Sequence, residues 1–82
     1  MTDMFEEFIG RLHDYFALNE PLYYYYLDQC IMERECGEKL MPIINDLYIH
    51  YLFFKDITVA VTEIRKFLTE YYGIGVGENG SC

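Results

Sequence analysis

Apolar residues recur at helical spacing through most of this chain. Phe5, Phe8, Ile9, Leu12 and Phe16 fall at intervals of three or four, which predicts one buried helical face over about residues 3–18. Thr2 or Asp3 can cap that helix, and Glu6 and Glu7 sit in its first turn, where the helix dipole favours acids. Asn19-Glu20-Pro21 ends it, because the residue before a proline avoids helical geometry. A second helix is expected over 20–36, with Pro21 in its first turn and Gly37 just past its end. At about 100° per residue, Tyr23, Tyr26, Leu27, Cys30 and Ile31 share its core face. Tyr25, Gln29, Met32 and Cys36 form a second, uncharged stripe on the other side, flanked by Asp28, Glu33 and Glu35.

The stretch 40–55 is the most hydrophobic. Ile43, Leu47, Tyr51 and Phe54 take one side, while Tyr48, Ile49, Leu52 and Phe53 wrap much of the rest. A helix apolar nearly all round should be central, or else should pair with another chain. Segments two and three would make one kinked helix if Pro42 is tolerated. The last helix is expected over 57–72, capped by Asp56 or Thr58, with Ile57, Val61, Ile64, Leu68 and Tyr71 inward, Phe67 beside them, and Gly73 at its end. Its β-branched start, Ile57 to Val61, also suits a strand, but no partner strand is evident. The expectation is an all-α fold: a bundle of three to four helices in one domain, residues 1–72, followed by a flexible glycine-rich tail, 73–82.

Composition sharpens this picture. The chain has 82 residues, of which 52% are hydrophobic and 18% aromatic. A domain of this size buries only roughly 64% of its extended surface, so the apolar material exceeds what one small core hides. A second buried surface is therefore expected, made with another copy or a partner. The net charge of −8 argues against direct nucleic-acid binding, which needs clustered Lys and Arg. Nine of the fourteen acids lie within residues 1–38; this is either an ordinary solvated surface or a patch aimed at a basic partner. The acidic N-terminus does not resemble a leader, the apolar runs are too short to span a bilayer, and three cysteines in odd number suit reduced thiols. A cytoplasmic location is the default expectation.

Candidate chemistry is sparse. Cys30 and Cys36 would lie about 120° apart on one helix, unable to clamp a single ion. Asp46 and His50, at i and i+4, are two ligands where more are needed, and the Glu-x-x-His spacing of di-iron bundles is missing. No Cys or Ser stands in a recognisable triad: His13 reads as solvated, Cys30 as core, and Cys36 as nearer the surface but at a helix C-terminus, where a thiolate is disfavoured. The glycines of the tail are not a phosphate loop, since no helix follows them. Neither catalytic residues, a metal nor another cofactor is expected.

The run Tyr23-Tyr24-Tyr25-Tyr26 spans most of a helix circumference, so its rings cannot share one core. Tyrosine suits interfaces, although cover by neighbouring helices would serve as well. The reading from sequence is thus a non-enzymatic, homodimeric interaction protein that regulates or inhibits a protein partner; its sharper form makes that partner a basic, nucleic-acid-binding protein, with the acidic face as a nucleic-acid mimic. The expected partner-binding residues are Tyr24, Tyr25, Asp28, Gln29, Met32, Glu33, Glu35 and Cys36, and the expected dimer contact is Tyr48, Ile49, Leu52 and Phe53. The alternatives are a small metal- or thiol-responsive sensor, or an accessory subunit of a larger enzyme complex.

Overall fold

Four helices joined by links of one to three residues make up nearly all of residues 3–74, the part of the chain that the computed structural model describes. They are α1 (Met4–Asn19), α2 (Pro21–Met32), α3 (Arg34–Phe54) and α4 (Thr58–Tyr72), with no strand among the described residues. The all-α bundle expected from periodicity is therefore the fold. The β-branched start of α4 stays helical because its periodic face, Val61, Ile64 and Leu68, is buried. Among the described residues no helix is long and apolar enough to cross a membrane.

One core runs through all four helices. α1 contributes Phe8, Leu12 and Phe16; α2 contributes Leu27 and Cys30; α3 contributes Cys36, Leu40, Ile44, Leu47 and Tyr51; α4 adds Ala60, Val61, Ile64 and Leu68. Aromatic contacts fix how the helices meet. Near the start of α1, Phe5 lies edge-on to Tyr48 at 5.1 Å between centroids, and Phe8 lies 5.0 Å from Tyr51, which joins α1 to the far half of α3. Tyr23 hydrogen-bonds Thr69 at 2.8 Å, and one turn further along both helices Tyr26 packs on Tyr72 at 4.8 Å, so α2 and α4 run parallel.

Polar links reinforce the packing at its edges. Glu20, the one residue between α1 and α2, accepts a hydrogen bond from the Tyr15 hydroxyl at 2.9 Å and from Arg65 Nε at 2.8 Å, with Arg65 Nη2 on its second oxygen. The Arg65 contacts hold its carboxyl below the usual range. The fork geometry matches a guanidinium to a carboxylate and ties the α1–α2 turn to α4. At the start of α4, Asp56 Oδ1 accepts from the backbone N–H and hydroxyl of Thr58, at 3.2 and 2.9 Å, but the N-cap position falls on Ile57 and not on the expected Asp56 or Thr58.

Two expectations are corrected here, and the open question of Pro42 is answered. First, α2 stops at Met32 and α3 already begins at Arg34, with Glu33 extended between them (φ −91°, ψ 121°). Cys30 and Cys36 therefore sit on different helices, both with zero exposure, and are joined by a disulfide; they are neither reduced thiols nor 120° apart on one helix. Gly37 does not terminate a helix but lies inside α3, where an added Cβ would stand 3.4 Å from the Cys30 carbonyl oxygen. That close crossing is what a residue without a side chain permits. Second, Pro42 is tolerated within α3 on the exposed side, where the carbonyl left without its helical donor can be hydrated. Third, the core stripe of α3 is Leu40, Ile44, Leu47 and Tyr51, rotated by about 40° from the expected one, so Phe54 is exposed and Ile43 half-buried.

Gly73 closes α4 in the left-handed conformation (φ 69°), as expected, and the backbone N–H of Ile74 donates to the Thr69 carbonyl at 3.1 Å. The rest of the anticipated flexible tail lies outside the described residues.

Candidate interaction surface

The core of α2 accounts for one side of that helix and leaves the other open. Leu27 and Cys30 are buried, with Tyr23 and Tyr26 half-buried against α4. Rotating by 3.6 residues per turn puts Tyr25, Asp28, Gln29 and Met32 outward. All four are exposed, Tyr25 by 55% and Met32 by 77%. Tyr24 lies between the two faces, 38% exposed, with its ring edge-on to His13 of α1 at 5.5 Å. That contact also corrects the reading of His13 as fully solvated: it is half-buried. Gln29 donates to the Tyr25 hydroxyl at 3.1 Å, one turn back, which fixes that ring on the outer face.

The surface continues round the elbow into α3. Ile31, expected in the core, is half exposed because it lies about 90° from the centre of the buried stripe. With Met41 and Gly37 it lines a shallow depression edged by Glu33, Arg34 and Glu38. Periodicity gave no hint of Met41. Its role follows from the break at Glu33, which brings the first turns of α3 against the end of α2. Cys36, by contrast, is buried and bonded to Cys30; it offers nothing to a partner. The second stripe expected on α2 thus keeps Tyr25, Gln29 and Met32 and loses Cys36.

Charge around the elbow is strongly one-sided. Residues 28–38 hold Asp28, Glu33, Glu35 and Glu38 against Arg34. Arg34 is committed to Glu38 at 3.2 Å, and Glu35 meets Lys39 at 3.8 Å; Asp28 and Glu33 have no ion pair among the described residues. The field reaches neighbouring phenols. Burial first, and then the carboxylates of Glu33 and Glu35, hold the Tyr71 hydroxyl above its usual pKa of 10.0, and Tyr71 leans on Glu33 at 3.4 Å. Burial, followed by Glu33, acts on Tyr72 in the same direction.

A second apolar area lies at the other end of α3. Ile49, Leu52 and Phe53 share one outer stripe and are exposed, Phe53 by 79%. Tyr48, expected with them, is half-buried and faces inward onto Phe5 and Phe8; it belongs to the core wall and not to an outer contact. Phe54 and Val59, on either side of the α3–α4 turn, are exposed as well.

The chemistry weighed from sequence takes its place around these surfaces. His50 packs its ring 4.5 Å from Phe54, and Asp46 is exposed beside it. Among the described residues no three His, Cys, Asp or Glu side chains gather as a metal would require. No protein-family model, curated protein or solved structure matches the chain.

Proposed function

We propose that this chain is a non-enzymatic interaction module whose outer α2 face and α2–α3 elbow dock a basic protein partner. One observation carries the reading: Tyr25 and Met32 on the outer face of α2, and Ile31 and Met41 at the elbow, are exposed apolar side chains set among Asp28, Glu33, Glu35 and Glu38. An aromatic and methionine centre with a charged edge is the composition that binding surfaces favour. Asp28 and Glu33 are free to receive cations, so association should be steered by charge and fall with salt. The partner that fits is a Lys- or Arg-rich surface with apolar anchors, as on a nucleic-acid-binding protein, which this acidic face would occupy in place of phosphates. The cytoplasmic placement drawn from three free thiols loses that support, because oxidising compartments sustain a bonded Cys30–Cys36 pair.

The test is NMR titration with a labelled amphipathic helical peptide rich in lysine and leucine. Shifts should concentrate on Tyr25, Asp28, Gln29 and Met32, weaken at least tenfold between about 50 and 200 mM salt, and vanish in Met32→Lys. Perturbations spread evenly over the acids of α1 and α4 would reduce the effect to net charge and reject the surface.

A further inference from the structure

We infer that the α3–α4 corner, built from Ile49, Leu52, Phe53, Phe54 and Val59, is a contact between two copies of this chain. The inference is independent of the docking face on α2 and goes beyond it. All five residues are exposed, and four of them belong to the last turns of a single helix. Apolar areas that rank among the largest on a small protein are often functional.

Charge decides which occupant suits which patch. A chain of net charge −8 repels its own copy. The elbow, with four acids against Arg34 and Lys39 and with Asp28 and Glu33 in no ion pair among the described residues, would place that repulsion at the contact itself. Around the corner, residues 45–62 carry Asp46 and Asp56 against Lys55, and Glu7 of α1, which reaches Tyr51, is paired with Arg11. Lys55 Nζ stands 5.7 Å from the Tyr51 ring centre, so this cation is held at the corner. The corner thus brings two such acidic chains together at less electrostatic cost than the elbow would.

Area points the same way. Taking about 200 Å² for a phenylalanine, Phe53 and Phe54 at 79% and 65% exposure present roughly 300 Å². Ile49, Leu52 and Val59 raise this to roughly 500 Å² of apolar surface. A standard interface buries about 800 Å² per partner, and homodimer interfaces are about 65% apolar. That sum is the most the corner can supply, because Leu52 and Phe54 lie about 160° apart around α3; Ile49, Leu52 and Phe53 form the centre of the contact, with Asn45, Asp46 and Lys55 beside it. A two-fold axis would bring the same patch together from both chains and leave no open end for further growth.

Sedimentation velocity of the full chain from 5 to 200 μM, with the free thiol alkylated by iodoacetamide, tests the inference. The expected result is reversible dimerisation that Phe53→Lys weakens at least tenfold and Met32→Lys leaves unchanged. Phe53→Lys should keep its helical circular dichroism, since the side chain is exposed and a cation in the last turn suits the helix dipole. Ile49→Lys serves as a second variant on the same stripe. A monomer throughout the range overturns the inference, as does a dimer indifferent to both substitutions or one that Met32→Lys dissociates.

Discussion

Cys30 and Cys36 are six residues apart in sequence, lie on different helices, and hold their Cα atoms 5.0 Å apart through a buried disulfide. On one continuous helix those atoms would be separated by about 9 Å along the axis, beyond the reach of about 7 Å that a disulfide allows. The bond and an unbroken helix are incompatible. Extended Glu33 is the geometric consequence, and from it follow both the elbow and the exposure of Ile31 and Met41.

Removing the bond therefore loosens the α2–α3 junction. Closing so short a loop restricts the unfolded chain by about 2 kcal/mol. A Cys30→Ala/Cys36→Ala chain should lose about that much in urea unfolding at pH 7, with little change in helix content. Thiol titration of the denatured parent without reductant should find one free thiol per chain, and three after reduction; three before reduction would contradict the bond.

Glu20 and Arg65 carry a pH signature. Arg65 first, and then the Tyr15 hydroxyl, favour the ionised carboxylate against burial, so the Glu20 pKa is lower in the folded chain than its ordinary 4.5. Its stabilisation is present above that ordinary value and is lost as pH falls through the depressed one. Glu20→Gln should cost about 1 kcal/mol near pH 7, at the upper end for a pair that solvent partly screens. The gap between variant and parent should narrow as pH falls below 4.5 and through the depressed value. A gap that persists there would mean the loss is one of packing.

The helices were legible because their buried faces repeat. Phe8, Leu12 and Phe16 on α1, or Val61, Ile64 and Leu68 on α4, need only the helical period to be found. The elbow was not legible. Glutamate is a good helix former, so nothing local marks Glu33 as a break; the cause is the pairing of two cysteines, a tertiary event. Gly37 misled for a related reason, since a glycine that ends a helix and one that lets two backbones approach look alike in sequence. Of the candidate surface, Tyr25, Asp28, Gln29 and Met32 could be read from spacing on α2. Met41 and Ile31 could not, because their exposure depends on where that helix stops.

Tyr51 sets an alkaline limit. Its hydroxyl donates to Glu7 at 2.8 Å from within the core. Burial first, then that hydrogen bond, raise its pKa above 10.0; Tyr15, whose hydroxyl donates to Glu20, shifts the same way, led by that bond. A raised phenol stabilises the fold fully below pH 10 and ceases to do so as pH climbs through the folded-state value. The chain should therefore lose stability above pH 10. Tyrosinate absorbance should show a late-ionising fraction that shrinks in Tyr51→Phe and disappears on unfolding. No late fraction in the parent would refute the Glu7 contact.

Gly10 separates folding from binding. It lies in the middle of α1 on the exposed side, and an added Cβ would have nothing within 4 Å. A glycine there forgoes about 0.5–1 kcal/mol relative to alanine, through the backbone freedom it retains when unfolded. Gly10→Ala should raise the urea midpoint accordingly and leave both the docking face and the α3–α4 corner untouched. Peptide binding and self-association should then match the parent. If instead the stabilised variant binds or dimerises more weakly, α1 itself takes part in the contact, and the assignment of the two surfaces to α2 and α3 must be redrawn around Gly10 and its exposed neighbours Glu6 and Asp14.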